Sequence, residues 1–243
     1  MPERMWKTVV CGAVLMGAAA SQAADFSVGR VEISFAEEGW TELPLPDQSR
    51  AFGGDRDGAL KVEAKLYILE RPELEGQVLV LVSANSQGMG GGPAGYMTYT
   101  GQCRSDEQVF REGNDGVRAR FAQCLTVAPK YTSDSVFKAL APQILEMRQS
   151  GSVTVQRPVF TVWSRHAIST GSFLDVRVFV ATRLEGQAAV TGTLPPNVPS
   201  SHVAWGRQLK AAVEDSVYSL SGRLKMPPFK PAASQPASLA GGG

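Results

Sequence analysis

The sequence is poor in the residues that carry most protein chemistry. It has three cysteines and two histidines in 243 residues, and its formal net charge is +1. Lysine, arginine, aspartate and glutamate are interspersed, so no stretch concentrates the positive charge that nucleic-acid binding requires. The two histidines lack the helical spacing of a metal site, and no Gly-x-Ser-x-Gly sequence marks a serine nucleophile. We therefore predict no nucleic-acid partner, no metal and no cofactor, and we assign no catalytic residue.

Apolar runs of membrane-spanning length are also absent. A transmembrane helix needs about 20 apolar residues. Residues 78–84 are strongly apolar but have the length of a buried strand, and residues 9–20 are also too few. We expect no transmembrane segment in the mature protein.

The amino-terminal segment has the layout of a secretory signal peptide. Arg4 and Lys7 precede the apolar residues 9–20, and Ser21 and Ala23 place small side chains before a cut after residue 23. We expect residues 1–23 to be removed on export to the periplasm or to the outside of the cell. Cys11 leaves with them.

The two remaining cysteines, Cys103 and Cys124, can pair in only one way. Disulfides persist in the oxidising compartments that a signal peptide leads to. In the chain-entropy model, a disulfide between these two positions stabilises the protein by about 3 kcal/mol. Since the sequence contains no Cys-x-x-Cys, we predict a structural bond, not a redox-active one.

Period-two patterns predict most of the secondary structure. Leu60, Val62, Ala64, Leu66 and Ile68 alternate with Lys61, Glu63, Lys65 and Tyr67, which indicates one buried and one solvent-exposed strand face. Residues 77–84 are apolar on both sides, as in a central strand. Further strands are predicted at residues 26–35, 96–103, 117–127, 153–164 and 173–182.

The last of these strands places Asp175 and Arg177 on its solvent-exposed face, where we interpret them as cross-strand partners. His166 is expected in the hairpin loop that precedes it, at residues 166–171.

Helical spacing appears in two places. Thr132 or Ser133 is a suitable N-cap for a short helix, which Pro142 interrupts or kinks. Ser200 or Ser201 caps a longer helix that runs to about Leu220. Its predicted apolar stripe consists of Trp205, Leu209, Ala212, Val213, Val217 and Leu220.

The carboxyl-terminal residues 226–243 are rich in Pro, Ala, Ser and Gly, which predicts a disordered tail. Residues 24–225 then form a single α+β domain. We expect a mainly antiparallel sheet with helices packed on one face.

A short stretch near the start of this domain bears a family resemblance. Val-Glu-Ile-Ser-Phe at residues 31–35, followed by Gly-Trp at residues 39–40, resembles the opening of small sheet-and-helix domains in the PsbP and Mog1-like families. The resemblance implies a fold and transfers neither a site nor a function.

A glycine-rich segment is the candidate binding loop. Residues 90–95 match G-x-G-x-x-G, but a strand-like sequence follows where a dinucleotide site needs a helix. We therefore interpret the segment as a loop with a contact surface. The candidate binding residues are Gly88, Gly90, Gly91, Gly92 and Tyr96.

Ser135 and Lys138 match the S-x-x-K sequence of penicillin-binding proteins, without the companion Ser-Asp-Asn and Lys-Thr-Gly sequences. The function we expect is a non-enzymatic exported accessory or binding protein for an envelope protein or a small ligand. The alternative is an envelope serine hydrolase that uses Ser135 and Lys138.

Overall fold

Strand-forming sequences of alternating polarity dominate the fold. The computed structural model describes residues 25–43, 45, 50–52, 60–71, 76–86, 103, 109–114, 121–131, 142–151, 159–168, 172–181, 198–219 and 221–229. The strands of these ranges are β1 (Asp25–Val28), β2 (Val31–Ser34), β3 (Thr41–Leu43), β4 (Arg50–Phe52), β5 (Leu60–Arg71), β6 (Gly76–Asn85), β7 (Phe110–Asn114), β8 (Phe121–Tyr131), β9 (Val159–Ile168), β10 (Phe173–Ala181) and β11 (Arg223–Lys225). Two helices accompany them, α1 (Pro142–Gln149) and α2 (Ser200–Tyr218).

The strands form two sheets. In the large sheet the order is β3-β5-β6-β10-β9-β8-β7, with β4 also paired to β5. All of these pairs are antiparallel. The small sheet has the order β1-β2-β11, and β11 runs parallel to β2. The expectation of a mainly antiparallel sheet is therefore confirmed.

One face of the large sheet carries the main core. Side chains at alternate positions of β6 and β10, such as Val80 and Val178, point to it from paired positions in the register. Helix α2 contacts β8, β9 and β10 on this face, whereas β1 contacts β5 and β6. A helix and a small sheet thus share the cover of one apolar surface.

The opposite face of the large sheet carries a second apolar cluster. Leu66, Leu79 and Phe179 are buried there, and Leu145 and Met147 of α1 pack against this cluster. The two helices therefore lie against opposite faces, which differs from the expected arrangement on one face. The reason is that β5, β6 and β10 each place buried apolar side chains on both faces of the sheet, so each face needs its own cover.

Strand β5 shows the same effect at one residue. Tyr67 was expected on a solvent-exposed face, but its exposure is 0%. It packs against Phe26 and Phe35, with ring centroids 4.8 and 5.4 Å apart, because the small sheet covers this part of β5. Burial raises the pKa of Tyr67 well above its usual value, and nearby Glu42 and Glu63 add to the shift.

The folded region continues past residue 225, where the tail was expected to begin. Met226 and Phe229 are buried. The ring of Phe229 lies between Trp40 and Trp205, with centroids 5.7 and 4.7 Å away. The backbone N–H of Phe229 donates to Glu37, and the indole N–H of Trp205 donates to the carbonyl of Pro228 at 3.1 Å. An apolar anchor thus overrides a composition that is typical of disorder.

Helix α2 approaches the sheet closely at Gly206. A Cβ atom at this position would lie 3.1 Å from side-chain atoms of both Leu125 and Val162. Glycine inside a helix costs about 1 kcal/mol relative to alanine. The close contact between α2 and strands β8 and β9 explains why a glycine stands here.

The start of α2 differs from the predicted cap. Pro199 occupies the N-cap position and no side chain caps the helix, so neither Ser200 nor Ser201 has the expected role. The predicted apolar stripe is confirmed at Trp205, Leu209 and Val213, which are buried.

We predict that Gly206→Leu destabilises the protein by about 1–3 kcal/mol, because the added side chain overpacks the contact with Leu125 and Val162. Ala211→Leu, on the exposed side of the same helix, is the matched control and should change the free energy of unfolding by less than about 0.5 kcal/mol. Urea denaturation measures both. Equal stability of the two variants would contradict the close contact.

Candidate binding cleft and the buried polar groups around it

A cleft of about 160 Å³ lies where the small sheet meets the carboxyl-terminal end of α2. A water molecule occupies about 30 Å³ in the liquid, so the cleft has space for a small molecule. The described residues that line it are Arg30, Val31, Asn85, Ser172, Phe173, Leu174, Ser216, Val217, Ser219, Ser221 and Gly222.

One side of the cleft is built by the turn between β1 and β2. Gly29 has a φ of 55°, and a Cβ atom there would lie 2.5 Å from the carbonyl oxygen of Asn85. The backbone N–H of Arg30 donates to the same carbonyl at 3.2 Å. The Asn85 side chain in turn accepts from the N–H of Phe173 at 3.1 Å. The turn is thereby fastened to the ends of β6 and β10.

The other side is built by serines at the end of α2. The Ser216 hydroxyl donates to the carbonyl of Gly222 at 3.1 Å, and the Ser219 hydroxyl donates to the carbonyl of Ser216 at 3.2 Å. Ser219 also accepts from the N–H of Gly222 at 3.1 Å. Gly222, with a φ of 62°, then turns the chain into β11. These bonds hold the helix end in a defined shape.

Two side chains in the cleft donate a hydrogen bond to no other described residue. Within the described ranges the guanidinium of Arg30 makes no ion pair or hydrogen bond, and the hydroxyl of Ser172 makes none either. Other arginines of α2 and β11 are paired: Arg207 lies 2.7 Å from Glu112, and Arg223 lies 2.9 Å from Glu32. The cleft therefore offers a positive charge and a hydroxyl donor to a ligand.

His166 lies next to the cleft and not in a hairpin loop, which corrects the expectation from sequence. It belongs to β9, opposite Leu174 of the cleft in the register, and is buried. Its ring contacts the edge of Tyr218 at 5.3 Å between centroids. Burial lowers the pKa of His166; Glu214 opposes this shift and Lys210 adds to it. Arg165 and His166 are polar, which suggests a loop. In the structure they are neighbours on β9, so their side chains point to opposite faces of the sheet, and both faces are covered.

His202 occupies the opposite end of the same interface. It lies in the first turn of α2, as expected, with 1% of its surface exposed. Its ring packs on Phe160 at 4.4 Å between centroids. Burial lowers the pKa of His202 to about 4. The imidazole is therefore neutral at physiological pH and acts as a core residue.

A charged cluster lies on the second face of the large sheet. Asp175 is 2% exposed and is contacted by Arg165, and by Arg177 at 3.1 Å. The indole N–H of Trp163 donates to the same carboxylate at 2.8 Å. Both guanidinium groups also stack on the Trp163 ring, at 4.7 and 4.6 Å from its centroid.

This cluster confirms the cross-strand pairing of Asp175 and corrects its setting, since the face is not solvent-exposed. Burial raises the pKa of Asp175, but Arg165, Arg177 and the Trp163 N–H more than offset this effect and hold the pKa below its usual value. The carboxylate is charged and fully engaged, which favours a structural role over proton transfer.

The predicted cysteine pair is brought together. Cys103 and Cys124 are bonded, with Cα atoms 5.7 Å apart, and Cys124 lies on β8. The candidate loop residues Gly88, Gly90, Gly91, Gly92 and Tyr96 lie outside the described residues, as do Ser135 and Lys138.

The described residues contain no cluster of three or more potential metal ligands. Among the same residues, no helix has the length and apolarity that crossing a bilayer requires.

The cleft itself was not predicted. Its polar residues come from four separate segments of the chain, and the nearest thing to a local signal is the run of serines at 216, 219 and 221. Serines at such spacing are common at helix ends, where they satisfy carbonyl groups. No pattern in the sequence brings Arg30 and Ser172 to them.

We found no match to this chain among protein-family models, curated proteins or solved structures. The similarity of residues 31–35 and 39–40 to the PsbP and Mog1-like families therefore stays an expectation about the fold.

We predict that Asp175→Asn destabilises the protein by about 3–5 kcal/mol, because it leaves two guanidinium groups beside a neutral amide in a buried setting. Glu32→Gln is the matched control: Glu32 and Arg223 are 57% and 43% exposed, and such pairs contribute at most about 1 kcal/mol. Chemical denaturation at pH 7 measures both. Similar losses in the two variants would argue against the buried cluster.

We predict that the protein loses stability as the pH falls from 6.5 to 4. The unfolded chain protonates His202 near 6.5, whereas the folded chain resists protonation until about 4, so acid favours unfolding by about 3 kcal/mol through this group. His202→Gln removes this dependence. Unfolding free energies of both proteins between pH 7 and 4 test the prediction, and parallel curves would refute it.

Proposed function

We propose that this protein is exported, to the periplasm or beyond, and acts by binding an envelope protein or a small ligand, not by catalysis. The proposal rests on a contrast between two sets of polar groups in the protein, the paired carboxylates and the donors that line the cleft. Asp175, Glu112 and Glu214 are each held by neighbouring side chains, whereas Arg30 and Ser172, as far as the structure describes the chain, present free donors to a cleft. Binding uses such donors directly.

Export is supported by two features that are independent of each other. Residues 1–23 have the charge, apolar run and small residues of a signal peptide. The Cys103–Cys124 bond belongs to an oxidising compartment.

For the fold class we propose a single α+β domain. Antiparallel hairpins precede the long helix α2 in the chain, and helix and sheets share one core. This order of elements is typical of the α+β class.

Export predicts a defined mature chain. The full sequence is expressed in a bacterium with a periplasm, and the protein is recovered from that compartment. Its intact mass should correspond to the chain without residues 1–23, and it should be two hydrogen atoms below the mass of the same chain with both cysteines reduced. The Cys103→Ser, Cys124→Ser double variant should lack the mass difference and lose about 3 kcal/mol of stability. Retention of Met1, or two free thiols in the native protein, would contradict export.

The binding role predicts that a small molecule stays with the native protein. Native mass spectrometry of the protein purified from the envelope of its own cells should show an added mass that Ser221→Trp abolishes by filling the cleft. Ser200→Trp, exposed at the other end of α2, should retain it. An added mass that survives both substitutions would place the ligand elsewhere. Labelling by a fluorescent penicillin that Ser135→Ala abolishes would instead establish the hydrolase alternative.

A further inference from the structure

We propose that the cleft at the end of α2 is a binding site for a short-chain carboxylate. This inference rests on the proposed binding function and specifies its ligand class. The carboxylate group contacts Arg30 and Ser172, and the hydrocarbon chain lies along Val31 and Val217. Charge, free donors, apolar walls and size each support one part of this assignment.

The charge of the lining selects an anion. Arg30 is the single ionisable side chain among the described lining residues, which include no aspartate or glutamate. The carboxylate of Glu63, on β5, reaches the turn that carries Arg30 and accepts a hydrogen bond from the N–H of Gly29 at 3.0 Å. A guanidinium recognises a carboxylate with two parallel N–H donors. A cationic ligand finds no counter-charge in this lining.

The serine hydroxyls divide into two groups. Ser216 and Ser219 already donate to backbone carbonyls, and the Ser221 hydroxyl is hydrogen-bonded to that of Ser219 at 3.3 Å, so these three serines shape the cleft. Ser172, at the start of β10, has its donor free within the described residues. It lies directly before Phe173, whose backbone is fastened to Asn85 at 3.1 Å, so the hydroxyl is carried by a rigid position. Arg30 and Ser172 therefore form the polar end of the site.

The remaining lining limits the rest of the ligand. The accessible apolar surface comes from Val31 and Val217, because Phe173 and Leu174 are almost completely buried. It suits a hydrocarbon chain and disfavours a second charge. The volume of about 160 Å³ is below the range of about 300–1,000 Å³ typical of drug-sized ligands. A short acid such as butyrate meets both limits.

The test uses the full-length protein after export, with butyrate, 1-butanol and n-butylamine as probes of equal size and different charge. Amide chemical shifts from NMR report binding at Phe173, Leu174, Ser216 and Val217. Butyrate should shift these signals saturably, 1-butanol should bind at least about tenfold more weakly, and n-butylamine should not bind; a tenfold change corresponds to about 1.4 kcal/mol.

Variants assign the contacts. Arg30→Gln should weaken butyrate binding about tenfold or more, and Ser172→Ala should weaken it several-fold. Arg223→Gln is the control, because that guanidinium is also exposed but is paired with Glu32 outside the cleft. Circular dichroism and urea midpoints matching wild type show that Arg30→Gln is folded.

Each other outcome decides against the proposal in a different way. Binding of 1-butanol or n-butylamine as tight as that of butyrate overturns the carboxylate assignment but leaves a ligand-binding protein. Butyrate binding that Arg30→Gln leaves unchanged overturns the assigned contact. If none of the three probes shifts the cleft signals while native mass spectrometry still shows an added mass that Ser221→Trp abolishes, the ligand class is wrong and the proposed function stands. If both experiments are negative, the carboxylate assignment and the small-ligand form of the proposed function are both wrong.

Discussion

The central constraint of this structure is that one apolar face of the large sheet is covered by two unlike pieces of the chain. Helix α2 lies over β8, β9 and β10, and the small sheet lies over β5 and β6. The cleft lies where these two coverings meet at the end of α2, and serine hydroxyls satisfy carbonyl groups there.

The two coverings are joined by the last part of the described chain. Strand β11 leaves the end of α2 and pairs with β2, where Leu224 lies opposite Ile33. Phe229 then inserts between Trp40, which follows β2 of the small sheet in the chain, and Trp205 of α2. Helix and small sheet are thereby held against each other, which keeps the two walls of the cleft at a fixed separation.

Asp175 and His202 show two ways in which the structure accommodates a buried ionisable side chain. Where the structure buries a charge, as at Asp175, it surrounds that charge with opposite charges and an N–H donor, because an isolated buried ion is very costly. Where it buries an imidazole, as at His202, the group is neutral and packs as an aromatic ring. These groups are structural, and their chemistry is not available to a substrate.

Sequence patterns predicted those elements whose surroundings are uniform along their length. Strand β6 is apolar on both sides and is buried on both, and the stripe of α2 at Trp205, Leu209 and Val213 faces the core. Prediction failed for polar side chains that alternate with apolar ones on a strand but are buried in the structure. Tyr67 and Asp175 alternate with apolar neighbours and so read as solvent-exposed, yet a second layer covers each of them. Periodicity reports which residues share a face, and it does not report what lies against that face.

The sequence by itself determined the alternating pattern of β5 and β10, the apolar run of β6, the apolar stripe of α2 and, on the expectation that residues 1–23 are removed, the pairing of Cys103 with Cys124. These properties depend on neighbours a few residues apart or on simple counting. Only the tertiary structure decided which faces are covered, that Phe229 closes the core, and that Arg30, Asn85, Ser172 and Ser216 meet around one cleft. Such convergence depends on how whole layers pack, and layer packing leaves no local pattern in the chain.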